Sequence, residues 1–164
     1  MKTLLVIRHA KSSWDITTLN DFDRALNERG KKDAPVMAQR LVDKHINIEA
    51  FVTSPAKRAK KTAEFFCTVY NKKKEDIILL SALYHASSEN FYTIVEQLND
   101  DFKTVAIFSH NPGITEFVNE LVENVLIDNM PTCSIFAIQI NTAKWKGFKK
   151  AKKELLFFDY PKVL

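Results

Sequence analysis

The chain has 164 residues, 46% hydrophobic and 27% charged, with 24 basic and 20 acidic side chains. This is the size and balance of one soluble globular domain spanning residues 1–164, and no apolar run is long enough to cross a bilayer. Six of the basic residues are lysines between positions 144 and 153, and without them the chain is slightly acidic, so a nucleic-acid partner is not expected.

The first residues lack the basic, apolar and small-residue order of a secretory signal. Cys67 and Cys133 fall inside expected elements and away from any metal-ligand spacing. They read as reduced core residues of a cytoplasmic protein.

Thr3-Leu4-Leu5-Val6-Ile7 has the composition of a buried strand and runs directly into Arg8-His9. A polar connection carrying Asp15, Asp21 and Asp23 follows, and connections of that length are usually functional. Ala34, Met37, Ala38, Leu41 and Val42 form an apolar stripe that predicts a helix from 27 or 33 to 44. Pro35 is expected in its first turn, with Asp33 as its cap. Residues 50–52 read as a second strand, ending in Thr53-Ser54-Pro55, and 56–70 as a helix with Ala59, Ala63 and Phe66 turned inward. A third strand is expected at 77–80. Phe91, Ile94, Val95 and Leu98 mark a helix over 88–98, capped by Ser87 or Ser88.

Thr104 to Phe108 is the best strand in the chain and runs into Ser109-His110. A helix over 113–125 follows, then strands at 133–140 and 154–158 joined by the lysine-rich stretch. Alternating strands and helices predict an α/β fold, a three-layer α/β/α sandwich with a mainly parallel sheet of about six strands. No helix separates the last two strands, so one of them is expected to run antiparallel.

In a parallel sheet the ends of strands one, two and four share an edge, and ligands of open α/β sheets bind at that edge. Arg8-His9, Thr53-Ser54-Pro55 and Ser109-His110 therefore converge, and Arg58 sits one turn into a helix that starts there. Two arginines, two histidines and two helix N-termini, with no carboxylate from the same strand ends, suit a tetrahedral phosphate. A neutral imidazole in such a pocket is an in-line nucleophile toward phosphorus when an acceptor holds its other nitrogen. Arg8, Arg58 and the second histidine would neutralise the charge developing on the equatorial oxygens. Neither a metal nor another cofactor is needed by this chemistry, and none is expected.

These pieces together resemble the histidine phosphatase superfamily, the phosphoglycerate-mutase-like fold. RHAKSSWD over 8–15 is similar to the family's RHGExxWN-like opening. SPAKRA over 54–59 with Thr62-Ala63, SHNPG over 109–113 and DRALNERG over 23–30 match further pieces in the right order. The resemblance implies that His9 is phosphorylated and that Arg8, Arg58 and His110 bind the phosphoryl group. Ser12 and Asn111, inside the same motifs, are expected to add contacts to it. Ala10 and Lys11 replace the Gly-Glu of the mutase branch, Asp15 stands where an asparagine often meets the phosphate, and there is no room for lid insertions. The short form is most similar to the SixA-type branch, whose members remove phosphate from protein phosphohistidine.

The candidates for a general acid are His85, Glu89 and Asp15. Imidazole, with a reference pKa of about 6.5, leaves phosphorus far more readily than an alkoxide, so a site poor in acid copes best with phosphohistidine. The expected substrate is thus a phosphorylated protein, with a small phosphate ester as the alternative. A phosphoprotein-binding module of low turnover is the alternative outside enzymes. Trp145 and Phe148, interleaved with the lysines, are read within a solvated connection that could also steer an acidic partner. His45 is read as a surface residue, and Trp14 as packing beneath the long connection.

Overall fold

The computed structural model describes residues 1–14 and 20–162. In chain order these form β1 (Lys2–Arg8), α1 (Glu28–Asp43), β2 (Ala50–Thr53), α2 (Lys57–Val69), β3 (Ile78–Leu79), α3 (Ser88–Glu96), β4 (Thr104–Ser109), α4 (Gly113–Val118), β5 (Ile135–Ile140) and β6 (Lys153–Asp159), with short 3-10 turns between. One six-stranded sheet has the order β3-β2-β4-β1-β5-β6. β1, β2, β3 and β4 pair in parallel, and β5 runs antiparallel to both β1 and β6. β1 is buried without interruption from Leu4 to Ile7, as a central strand covered on both faces must be.

The two faces of β1 separate two cores. Leu5 and Ile7 join Phe51 and Phe108 under Met37 and Leu41 of α1 and Phe66 of α2. Leu4 and Val6 join Val52 and Ile107 under Phe91 of α3 and Phe117 of α4. This is the expected three-layer sandwich. Each such side chain, fully buried, contributes about 1.5–3 kcal/mol of transfer free energy.

Several boundaries differ from expectation. α1 begins at Glu28, in line with the earlier of its two expected starts, but Asn27 and not Asp33 is its cap; Asn27 Oδ1 accepts the amide of Gly30 at 2.9 Å. Asp33 is inside the helix, paired with Arg29 at 3.4 Å, and Pro35 lies past the first turn. Pro35 gives up one backbone hydrogen bond, but its neighbours Ala34, Met37, Ala38 and Leu41 stay buried against the sheet. Gly30 is needed for close approach, because a Cβ there would come 2.2 Å from the carbonyl oxygen of Lys11. That carbonyl also accepts the amide of Asn27 at 3.0 Å, so the start of α1 is fastened to the backbone just after His9.

α4 stops at Val118 instead of continuing to 125. The amide group of Asn119 donates to Ile127 O (2.8 Å) and accepts from Ile127 N (2.6 Å), folding the chain back on itself. Leu121, Val122 and Val125 keep their inward positions in turns. Cys133 precedes β5 in a turn, at φ 60°, and both cysteines are buried and free.

In the lysine-rich segment Trp145 and Phe148 are fully buried, and Trp145 Nε1 donates to Phe102 O at 2.9 Å. These rings are therefore core and unavailable for stacking on a base. His45 is exposed, as expected. Among the described residues no helix is long and apolar enough to cross a membrane.

Candidate active site

The parallel register brings Arg8 beside Ser109, and Ile7 and Thr53 each beside Phe108, so three strand ends meet on one edge. Backbone bonds lace them together: His9 N donates to Ser109 O (3.1 Å) and Ser54 N to Phe108 O (3.0 Å). Thr62 ties α2 to the same place. Its hydroxyl donates to Arg58 O (2.7 Å) and accepts the amide of Ala10 (3.0 Å). The result is a cleft of about 330 Å³ lined in part by Arg8, His9, Ser12, Arg58, His110 and Asn111. All six were expected there from the sequence.

At its floor, His9 is 5% exposed. Its Nδ1 lies 2.7 Å from Ala10 O, so Nδ1 carries the proton and Nε2 presents its lone pair. Arg58 Nε donates to that Nε2 at 3.3 Å. Burial and the nearby His110, Arg58 and Arg8 charges push the His9 pKa well below the usual imidazole value, against the opposing pull of the Ala10 hydrogen bond. The ring is neutral at pH 7, the form in which an imidazole can act as a nucleophile.

The His110 ring lies 5.1 Å from that of His9, centroid to centroid, and its Nε2 is 2.8 Å from Ser54 Oγ. Burial, then the charge of Arg58, lowers its pKa to about 3. Among the described residues, Nδ1 of His110 and Nε of both Arg8 and Arg24 are buried without a partner, and all three residues line the cleft. Buried polar groups are normally satisfied, and three unsatisfied ones beside the same cleft fit a site shaped for an anion. Arg8 is anchored by Nη1, which donates to Met130 O at 2.7 Å. Asn111 donates to Asn129 Oδ1 (2.7 Å) and Met130 O (3.3 Å).

Gly113 closes this corner. A Cβ there would meet Ala86 O at 1.8 Å, so only glycine lets the start of α4 approach the segment that carries His85. His85 is exposed at φ 60°, lines the cleft, and lies 3.9 Å from the Tyr84 ring. Glu89 is exposed on the first turn of α3 and is not brought to the cleft. Asp15, the third acid candidate, lies outside the described residues.

Six cleft-wall residues went unpredicted: Lys11, Trp14, Asp21, Arg24, Pro112 and Thr132. Among the described residues no strand end contributes a carboxylate to the cleft, but one enters from the long connection, Asp21. Arg58 Nη2 donates to Asp21 Oδ2 at 2.9 Å and Arg58 Nη1 to Asp21 O at 2.6 Å. Tyr84 Oη donates to the same Oδ2 at 2.7 Å, and Arg24 Nη2 to Oδ1 at 3.1 Å. Arg24 Nη1 also bonds Ser12 Oγ. Burial opposes the ionisation of Asp21, but the hydrogen bonds from Tyr84, Arg24 and Arg58 outweigh it and hold its carboxyl well below the usual range.

Trp14 is a further correction. It is 71% exposed on the cleft wall, with the Arg24 guanidinium 3.7 Å from its ring centroid, instead of packed beneath the connection. Among the described residues no group of three or more His, Cys, Asp or Glu is placed to hold a metal ion.

Residues 4–83 match the family described as the histidine phosphatase superfamily, branch 1. That match covers just under half of the chain, and over it the chain is similar to this superfamily. Its fold is similar to that of the proposed phosphohistidine phosphatase SixA of Agrobacterium tumefaciens, at a TM-score of 0.83 and 22% identity over 98% of each chain. It is also similar to the protein histidine phosphatase SixA solved with tungstate, at a TM-score of 0.81 and 21% identity over 97% of each chain. A curated relative, phosphoserine phosphatase 1 of Hydrogenobacter thermophilus, is 36% identical over 83 residues, 48% of this chain and 38% of that one. The cleft at the ends of β1, β2 and β4 is the candidate active site.

Proposed function

We propose that the chain is a phosphatase that works through a covalent phosphohistidine on His9, with protein phosphohistidine as its preferred substrate and no metal required. The observation that carries this reading is the bond from His9 Nδ1 to Ala10 O at 2.7 Å, which leaves a neutral Nε2 facing the arginines. Nε2 attacks phosphorus in line, while Arg8, Arg58 and the ring of His110 bind the three equatorial oxygens. As the P–N bond to His9 forms, the substrate's own P–N bond breaks with its electron pair on the departing imidazole. The proton stays on Nδ1, hydrogen-bonded to Ala10 O, and the His9 ring becomes the cationic half of a phosphoryl-imidazolium. Water then attacks phosphorus, the P–Nε2 bond breaks with its electron pair returning to His9, and inorganic phosphate leaves with both protons of the water.

Two observations favour a protein substrate. The cleft-lining residues Trp14 and His85 are exposed, so its mouth is open to a bulky partner. The one carboxylate on the wall among the described residues is held ionised, which serves an imidazole leaving group better than an alkoxide. The second reading, a small phosphate ester, draws on the phosphoserine phosphatase relative.

The test is single-turnover phosphate release, with chelator present, from a phosphohistidine protein and from phosphoserine. Faster release from the phosphohistidine protein, through an acid-labile label lost in His9→Ala, is the expected result. Release that persists in His9→Ala overturns the mechanism, and faster turnover of phosphoserine overturns the substrate preference.

A further inference from the structure

Asp21 is the acid on the cleft wall among the described residues, and its position is more informative than its presence. Its side chain is 43% exposed, at the mouth, whereas His9 at the floor is 5% exposed. In-line transfer to His9 sends the leaving group away from the floor, toward the mouth and therefore toward Asp21. The carboxylate accepts three bonds from described residues: Arg58 and Tyr84 on Oδ2, Arg24 on Oδ1. A carboxylate has about four lone-pair directions, so one, on Oδ1, is left to a ligand. Held ionised by its donors, the group accepts a hydrogen bond and has no proton to give.

We propose that Asp21 is the leaving-group residue of this site, accepting a hydrogen bond from the protonated distal nitrogen of a departing imidazole. The proposal rests on the phosphohistidine reading and names what that reading lacks, the group that handles the leaving side. A phosphorylated imidazole that carries a proton on its distal nitrogen is a cation on its ring side. Next to Arg24, Arg58 and Lys11 such a ring is repelled, and Asp21 supplies the compensating charge. The P–N bond of the substrate breaks as the bond to His9 Nε2 forms. The electron pair stays on the substrate nitrogen, the distal nitrogen keeps its proton, and a neutral imidazole departs. No proton crosses to or from Asp21. An ester leaving as an alkoxide needs a proton that this carboxylate does not hold. Selectivity between nitrogen-linked and oxygen-linked phosphoryl groups is thus written into one side chain.

The experiment compares the wild type with Asp21→Asn on N-phosphoimidazole and on p-nitrophenyl phosphate, whose phenolate leaves without protonation. The variant is expected to lose about tenfold or more in kcat/KM on N-phosphoimidazole and to gain severalfold on p-nitrophenyl phosphate, where a negative charge beside the phosphoryl oxygens has been removed. Asp21→Glu, which keeps the charge, is expected to retain the wild-type order of the two substrates. If Asp21 only braces Arg58, both activities of Asp21→Asn fall together, and the proposal is overturned. Unchanged activity on N-phosphoimidazole overturns it as well. A wild type that turns over p-nitrophenyl phosphate but neither N-phosphoimidazole nor a phosphohistidine protein removes the substrate reading itself, a result distinct from either of these.

Discussion

His9 directs its Nδ1–H to the carbonyl of Ala10 at 2.7 Å, and under the proposed mechanism this bond between chain neighbours decides which nitrogen reacts. Because Nδ1 is committed, only Nε2 can accept phosphorus. The phosphoenzyme trapped at alkaline pH is therefore expected to be the Nε2 isomer, which ³¹P NMR distinguishes from the Nδ1 isomer. Label on Nδ1 would show that the ring turns over during catalysis.

Arg58 uses all three of its nitrogens at once: Nε on His9, Nη1 on Asp21 O and Nη2 on Asp21 Oδ2. This fixes a planar fork beside the reacting nitrogen, a geometry that a lysine cannot reproduce. Arg58→Ala is expected to lower the rate of His9 labelling by about 10²–10³-fold, the usual loss when a preorganised charge donor is removed. Arg58→Lys is expected to recover only a small part of it. Rapid-quench labelling measures both, and full recovery by lysine would reduce the role of Arg58 to a point charge.

Acid should weaken the folded state earlier than carboxylates alone would. Burial lowers the pKa of His110 to about 3 and moves His9 in the same direction. Below pH 6.5 the unfolded chain therefore binds protons that the folded chain refuses, and stability falls as pH falls toward the folded values. Each ring contributes at most about 1.4 kcal/mol per pH unit in that window. Asp21, whose carboxyl is depressed, begins to contribute in the same direction only below its ordinary value near pH 4. Urea titrations between pH 7 and 4.5 should thus show stability declining, with a shallower slope in His110→Asn. Equal slopes in the two proteins would mean that His110 titrates normally in the fold. Labelling of His9 should continue below pH 6, because the ring stays neutral there.

The parts of the site that sit on periodic elements were legible in the sequence, and the parts that depend on the path of a connection were not. Arg8-His9 and Ser109-His110 each follow an unmistakable strand, and Arg58 follows a helix start, so their convergence needs only a parallel sheet. Asp21 and Arg24 lie where no period exists. Their arrival depends on Asn27 and Gly30 fastening α1 to Lys11, a tertiary contact that no spacing announces. The DRALNERG run held the signal, but it reads as a connection until Arg24 is seen reaching Ser12. Met130 was hidden differently: β5 runs antiparallel, so the loop before it returns to the catalytic edge. The length of α4 misled for a simpler reason. Apolar spacing reports which residues face the core, and Leu121 and Val125 still do so after Asn119 has ended the helix.

The lysine-rich segment illustrates how register settles a question that composition leaves open. β5 starts beside Ile7 and ends with Ile140 beside Lys2, so the lysines that follow it emerge at the edge opposite the cleft. Six strand steps separate the two edges, roughly 20 Å, about two Debye lengths at physiological salt. A partner docked on the cleft would feel these charges weakly. Neutralising Lys149 and Lys150 is therefore expected to leave kcat/KM for a phosphohistidine protein unchanged at physiological salt, and a large fall in a stopped-flow on-rate would restore the steering role. The buried rings carry the opposite expectation. Trp145 is fully enclosed, with its backbone N donating to Asp100 Oδ1 at 2.7 Å and its ring beside the Lys2 ammonium at 5.5 Å. Trp145→Ala is expected to cost about 3–5 kcal/mol of unfolding free energy, read as a shifted urea midpoint. A change below about 1 kcal/mol would mean that the segment folds independently of the sheet.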